Sequence, residues 1–207
     1  ILVSDLAGKS NIIQKAAELG ITIKKDSHEL SEILKKIKQL ENEGYEFEGA
    51  EGSLELLMLR ARHSYQSVFT MFDRIDYRVL TEKRKVDPHP VSEATVTVEV
   101  GGQVEHTAAW GNGPVNALDK ALRKVLPRYF PGRGLDTVRL LDYKVRVLTA
   151  AEGTAARVRV LIESGDGKSK WGTVGVSENV IEASWQALVD SIEYKLLRTA
   201  KSKKHTT

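Results

Sequence analysis

Gly111-Asn-Gly-Pro-Val-Asn-Ala117 is the segment of this 207-residue sequence whose residue types and order suit ligand chemistry. Gly111 and Gly113 permit close approach or a left-handed backbone, and Pro114 lacks the N–H that a first helical turn leaves unpaired. The remaining N–H groups of such a turn, with the helix dipole behind them, favour an anion such as a carboxylate. A counterpart stands at Gly175-Val-Ser-Glu-Asn179, where Ser177 or Asn179 can cap the helix that follows. The plainer reading of both segments is a strand-to-helix turn, because glycine-rich turns are common.

Other chemistries are missing. The five histidines, His28, His63, His89, His106 and His205, are scattered, with no two at the i, i+2 or i, i+4 separation that aims both rings at one metal. There is no Gly-x-Ser-x-Gly elbow and no phosphate-loop lysine. The absence of cysteine excludes disulfides, thiolate catalysis and thiolate zinc sites, and fits a reducing cytoplasm. No catalytic residue, metal site or cofactor is therefore expected in this stretch of chain. Glu152-Gly and Gly165-Asp-Gly are turn chemistry. Trp110, Trp171 and Trp185 lack base-stacking spacing and are expected in core or interface packing.

Composition narrows the class further. A hydrophobic fraction of 41% with 29% charged residues is ordinary for a soluble globular protein. No apolar run approaches the roughly 20 residues that span a bilayer, so no membrane partner is expected. The net charge is only +3, and much of the surplus lies in Arg198–Lys204. That tail reads as solvated and frayed, and no nucleic-acid partner is expected, because no basic cluster falls on a folded face. The chain opens Ile-Leu-Val-Ser-Asp without an initiator Met, which suggests a piece of something longer.

The elements that must position these loops follow from periodicity. Residues 1–62 read as a small helical subdomain. Helices are expected over 11–19 (Ile12, Ile13, Ala16, Leu19), 29–43 (Leu30, Ile33, Leu34, Ile37, Leu40) and 53–62 (Leu54, Leu57, Met58). Three such short helices make a poor core alone and are expected to dock on a neighbour. From about residue 65 the period changes to two. An irregular strand over 68–85, interrupted by Asp73 and Asp76, is expected to carry a bulge. Val96, Val98 and Val100 alternate with Thr95, Thr97 and Glu99; Gly101-Gly102 turns the chain, and Val104–Trp110 returns. A helix over 115–126 is expected to stop before Pro127. The same succession recurs, with strands near 138–149, 157–163 and 169–176 and a helix over 179–198. Ala117-x-x-x-Ala121-Leu122 matches Ala183-x-x-x-Ala187-Leu188, small residues that let a helix sit close to a sheet. The expected fold is α+β: two βββα repeats over 65–198, a helical subdomain before them, and a basic tail over 199–207.

Four segments together resemble the isopropylmalate/citramalate synthase family, and its citramalate branch in particular. They are Leu2–Asn11, Gly44-Tyr-Glu-Phe-Glu-Gly-Ala-Glu51, Gly111–Leu118 and Val174-Gly-Val-Ser-Glu-Asn-Val-Ile-Glu-Ala-Ser-Trp185. The resemblance runs to about Arg198. It implies the linker and the regulatory, dimerising region of an enzyme that condenses acetyl-CoA with a 2-oxo acid on a metal-bearing barrel preceding Ile1. The divalent metal and the acid/base residues would lie in that barrel, leaving this stretch inactive alone. It further implies a homodimer that binds an end-product amino acid, isoleucine for the citramalate branch.

The family pocket lies near the strand-to-helix loops. Matched by motif, Gly113, Pro114, Val115, Asn116 and Ala117 would line one wall, Leu140 and Tyr143 would form an apolar wall, and Ser177, Glu178 and Asn179 would contribute from the second repeat. Leu140 and Tyr143 have opposite strand parity, so sharing a face requires a bulge or a strand end. Asn116 is neutral where some relatives carry an acid. Two other readings stay open: a leucine-binding region of a 2-isopropylmalate synthase, and a dimerisation module without effector.

Overall fold

The computed structural model describes residues 9–25, 27–61, 72–149, 153 and 156–204, with the backbone alone at 201–204. Three helices come first: α1 (Lys9–Glu18), α2 (His28–Asn42) and α3 (Glu51–Arg60). The strands β1 (Asp73–Glu82), β2 (Val91–Val100) and β3 (Gln103–Gly111) lead into α4 (Pro114–Tyr129). The second succession is β4 (Arg139–Val147), β5 (Val158–Gly165), β6 (Lys170–Ser177) and α5 (Val180–Lys204). The architecture is the expected α+β one, with two three-stranded antiparallel sheets in the orders β1-β2-β3 and β4-β5-β6, each followed by a helix. The chain divides into two units, residues 1–69 with 139–194 and residues 70–138 with 195–207. The expected break near 62–65, Glu152 of the Glu152-Gly turn, His63, His205 and Leu2–Gly8 of the first motif lie outside the described residues. α5 continues past Arg198 to Lys204, into the stretch read as a solvated tail.

In the unit built on the first repeat, Ala94, Val96, Val98 and Val100 of β2 are buried on one face of the sheet. They meet Ala117, Leu118, Ala121, Leu122 and Val125 of α4, all buried as well. Val100 pairs with Gln103 around Gly101 and Gly102, whose φ angles of 58° and 80° demand glycine in a two-residue hairpin turn. The anticipated bulge in β1 falls between Arg74 and Asp76, leaving Ile75 as the extra residue. Gly111 permits the close seat of α4: a Cβ there would stand 2.5 Å from the Ala117 nitrogen. Pro127 does not stop α4 as the sequence suggests, but lies inside its last turn. Its missing N–H forfeits a single helical bond, and the helix survives it until Phe130 N–H closes on the Leu126 carbonyl at 3.0 Å.

The other unit joins α1, α2 and α3 to the second sheet and α5 as far as Tyr194. α2 is capped by Ser27, whose hydroxyl oxygen accepts Leu30 N–H at 3.2 Å, and it buries Leu30, Ile33 and Ile37 beside α1. α3 is buried along all of Gly52–Leu59, not only on the Leu54, Leu57 and Met58 face. A helix covered on every side has little amphipathic signal to read. Each of Leu54, Leu56, Met58 and Leu59, at 1% exposure or less, contributes roughly 1.5–3 kcal/mol of burial.

What covers α3 is β6, whose residues Trp171–Val176 are all buried. Gly175 lies against the Ala183 carbonyl of α5, and Gly172 against the Gly49 carbonyl in the loop before α3, so both faces of the strand are covered. Its edge is closed too: Val174 N–H donates to Ser53 Oγ at 3.0 Å, and Val176 N–H to Gln186 Oε1 at 3.1 Å. Ser53 passes its proton side to Asp190 Oδ2 at 2.7 Å, and Arg60 of α3 pairs with Asp190 at 2.9 Å and with Glu193. Burial by itself would lower the Arg60 guanidinium's pKa, but the charges of Asp190 and Glu193 outweigh it and hold it above its ordinary value. Docking of the helical segment on a neighbour, expected from its poor independent core, is thus realised through α3.

Candidate functional site

The first-repeat loop ends in an uncapped helix. Gly113 stands at the N-cap in extended backbone, with no side chain to bond the first turn, and Pro114 begins α4. Gly113's carbonyl accepts Ala117 N–H at 3.0 Å. Asn116 is exposed and turns back, its Oδ1 accepting Asn112 N–H at 3.2 Å. Val115 is half-buried and Ala117 fully buried against Gly111. First-turn amides without a side-chain cap are the arrangement that receives a carboxylate.

The second-repeat loop occupies the same place in its repeat but satisfies itself. Asn179 Oδ1 accepts Ile181 N–H at 2.8 Å and Glu182 N–H at 3.4 Å, and Ser177 Oγ accepts Asn179 N–H at 3.1 Å. Asn179 is therefore the cap of α5, and Ser177 holds the cap residue by its own N–H. The two loops correspond in position and differ in chemistry.

Leu140 and Tyr143 do share a face. The register of β4 against β5 shifts between Leu140 and Asp142, so Leu141 is a bulge; Leu140 then pairs with Ser164 and Tyr143 with Ile162, two residues apart on β5. That face looks toward α5: Tyr143 Oη lies 2.7 Å from Ser184 Oγ, and Ser191 Oγ bonds Ser164 Oγ at 2.7 Å. Leu140 is half exposed at 50%. The first repeat carries the same device. Ile75-Asp-Tyr-Arg-Val79 matches Leu141-Asp-Tyr-Lys-Val145, with the bulge at the first position of each, and the offset relating Tyr77 to Tyr143 also relates Ala117 to Ala183. This repeated Asp-Tyr was a signal in the sequence that periodicity passed over.

Ser177 and Glu178 meet residues that sequence reasoning missed. With Glu43, Tyr45, Arg157 and Val176 they line an open recess of about 260 Å³. Arg157 is held by two anchors, its Nη1 donating to the Glu43 carbonyl at 3.2 Å and its backbone N–H to Thr149 Oγ1 at 2.8 Å. Its Nη2 stands 3.6 Å from the Glu178 carboxylate. Tyr45 donates its hydroxyl to Gln186 Oε1 at 2.9 Å; burial foremost raises its pKa, aided by the charges of Asp190, Glu43 and Glu182 and opposed by the Val176 backbone. Asn179, Leu140 and Tyr143 are not among the recess residues. The pointer to it was the Gly44–Glu51 motif, which the resemblance included without giving it a role. Arg159 binds the Gly44 carbonyl at 2.7 Å and pairs with Glu46, fixing this loop on β5.

Among the described residues, no group of three His, Cys, Asp or Glu is placed to hold a metal ion. His106 Nδ1 is instead 3.0 Å from Thr97 Oγ1 on the neighbouring strand. Trp171 and Trp185 are buried, whereas Trp110 is 63% exposed. No helix among the described residues is long and apolar enough to cross a membrane.

Residues 48–196, from the loop before α3 to the middle of α5, match the LeuA allosteric (dimerisation) domain. The chain belongs to that family. Its similarity to an (R)-citramalate synthase of Geobacter sulfurreducens is 59% identity over 95% of the chain and 36% of the relative. An (R)-citramalate synthase of Aquifex aeolicus is 58% identical over 96% of the chain and 37% of the relative. A 2-isopropylmalate synthase of the same organism is 29% identical over 96% of the chain and 34% of its own length. The chain thus spans little more than a third of the curated relatives it matches. The LeuA domain match begins before α3, in keeping with the burial of that helix against β6.

Proposed function

We propose that this LeuA-type domain is the regulatory and dimerising region of an (R)-citramalate synthase, and that it binds isoleucine as a feedback inhibitor. The observation that carries the reading is the match of residues 48–196 to an allosteric dimerisation domain, combined with 59% identity to a protein named (R)-citramalate synthase. The condensation of acetyl-CoA with pyruvate, and the divalent metal it would use, belong to a barrel outside this chain. The domain works in the cytoplasm as a homodimer. The lower identity of the 2-isopropylmalate synthase relative, at 29%, favours isoleucine over leucine as effector.

An amino acid needs an anchor for its carboxylate, an acceptor for its ammonium and a small apolar surface. In the unit of the first repeat the uncapped first turn of α4 suits a carboxylate; in the other unit, taken by itself, Arg157 offers a cation and the Leu140–Tyr143 face an apolar surface. Inhibition then requires that isoleucine favour one arrangement of the protein over another. Calorimetric titration of the chain with isoleucine, leucine and valine tests the reading. Saturable binding with isoleucine tightest is expected, and the absence of heat with all three refutes sensing. Sedimentation at several concentrations tests the dimer.

A further inference from the structure

Asn112-Gly113 is the one Asn-Gly pair in the sequence, and it stands where α4 begins without a side-chain cap. Such a pair carries a latent reaction of its own. The amide nitrogen of the following residue can reach the side-chain carbonyl carbon when no Cβ bars the approach. Three features of the fold leave that path open. Asn112 is exposed, and among the described residues nothing holds its carboxamide; its backbone N–H is the group tied down, donating to Asn116 Oδ1 at 3.2 Å. The Gly113 N–H, whose nitrogen would attack, is likewise without a partner among the described residues. Gly113 is extended, and a Cβ there would meet nothing within 4 Å, so no surrounding atom crowds the ring that must form.

The other candidates for this chemistry are held in place. Asn116 spends Oδ1 on Asn112 and precedes Ala117, whose N–H is bonded to the Gly113 carbonyl at 3.0 Å. Asn179 spends Oδ1 on the first turn of α5 and precedes the β-branched Val180. Asn11 and Asn42 lie within α1 and α2, whose backbones fix the nitrogens that follow. Asp166-Gly167 could close the same ring, but Asp166 Oδ1 accepts Lys168 N–H at 2.9 Å, Ser169 N–H at 2.8 Å and the Ser169 hydroxyl at 3.3 Å. Three donors on one oxygen lock that carboxylate into its turn.

We propose that Asn112 deamidates in the folded protein and that the carboxylate so formed caps α4. The Gly113 nitrogen attacks Asn112 Cγ. A C–N bond forms, the Cγ–Nδ2 bond breaks, and ammonia departs with the proton that the Gly113 nitrogen gives up. Water then opens the cyclic imide. Addition at Cγ yields aspartate, and addition at the main-chain carbonyl yields isoaspartate, whose chain runs through the former side chain. Either way one water is consumed, one ammonia is released, and nothing is oxidised or reduced. The product places a negative charge one residue before Gly113, beside first-turn amides that have no side-chain acceptor. The second-repeat loop holds such an acceptor from the outset in Asn179. Hydrolysis gives the first-repeat loop the group it lacks.

The test incubates the whole folded chain in mildly alkaline buffer made with heavy-oxygen water, followed by peptide mapping in a mass spectrometer. Asn112 is expected to convert before Asn116 or Asn179, with one heavy oxygen incorporated and with both aspartate and isoaspartate present. The rate is expected to rise with hydroxide, because the Gly113 nitrogen attacks once its proton is lost. Gly113→Ala, which the open space at residue 113 admits, is expected to slow conversion several-fold. Asn112→Asp stands in for the aspartate product. Its urea midpoint is expected to rise by about 0.1–0.5 M, a gain that shrinks as salt is added. Earlier conversion of Asn116 or Asn179, or an unchanged rate in Gly113→Ala, overturns the reaction. So does an Asn112 that stays intact in the folded chain while a short peptide of the same sequence converts. A midpoint for Asn112→Asp at or below that of the wild type overturns the cap.

Discussion

Gly172 in β6 faces the carbonyl oxygen of Gly49 so closely that a Cβ at residue 172 would fall inside the van der Waals radius of that oxygen. Backbone meets backbone at this point, so no rotamer change can relieve an added methyl group. The loop before α3 is therefore seated at a spacing that glycine alone allows. Gly52 repeats the condition from the helix side, where a Cβ would stand 2.8 Å from the Gly172 carbonyl.

Gly172→Ala is accordingly expected to destabilise the chain by about 1–3 kcal/mol or more, the cost of overpacking a site that cannot yield. Urea denaturation of the variant beside the wild type measures it. A change below a few tenths would mean that the loop shifts freely on β6.

Arg60→Met removes the cation shared by Asp190 and by Glu193, which is 7% exposed. Two neighbouring carboxylates are left facing each other, at an expected cost of about 2–3 kcal/mol near neutral pH, moderated because Arg60 is 39% exposed. Melting curves of the variant beside the wild type check the cost, and an Arg60→Met/Asp190→Asn double variant should lose less at neutral pH.

Asn179→Ala is expected to cost about 1 kcal/mol, because it strips the cap from α5. Gly113→Ser should move the other way by only a few tenths of a kcal/mol, since glycine is itself a fair N-cap. Its extended backbone admits a side chain, and a Cβ there meets nothing within 4 Å. Chemical denaturation of the pair reports whether the two loops differ in capping as described.

Tyr45, whose pKa is raised chiefly by burial, holds its proton more tightly folded than unfolded. The associated stability is present below the ordinary value of 10.0 and is lost as pH rises through the raised one. Stability should therefore fall above about pH 10, and Tyr45→Phe should show a smaller alkaline loss while giving up the bond to Gln186. Melting temperatures across the alkaline range, with ultraviolet titration of the phenol, provide the comparison.

Much of the repeat architecture was legible because it is written in local spacing. The paired Ala-x-x-x-Ala-Leu helices record how close each helix sits to its sheet, and Gly111 under Ala117 and Gly175 under Ala183 are the other half of that record. The strand parity of Leu140 and Tyr143 called for a bulge, and Leu141 is one. The burial of β6 on both faces could not be read in the same way. Its outer cover comes from Gly49, Gly52 and Ser53, far away in sequence, and no period links those residues to Gly172 or Val174. Arg157 was missed for a related reason, since the Glu43 carbonyl that bonds it and the Tyr45 that shares its recess come from the helical segment. The Asp-Tyr pair shared by β1 and β4 was in plain view, but a bulge breaks the alternation by which strands are compared.

The closed edge of β6 has a consequence for how this chain behaves in company. A sheet's last strand ordinarily offers a ladder of vacant donors to any extended segment that drifts by, including the same strand of another molecule. Here Ser53 and Gln186 occupy the Val174 and Val176 donors with side chains, which cannot propagate a ladder. The strand is hydrophobic, nearly free of charge and β-prone, and beneath the cover of the loop before α3 a hydroxyl and an amide keep two of its donors from a neighbouring strand. Crowded or heated samples of Ser53→Ala should accordingly show strand-rich aggregates before the wild type does.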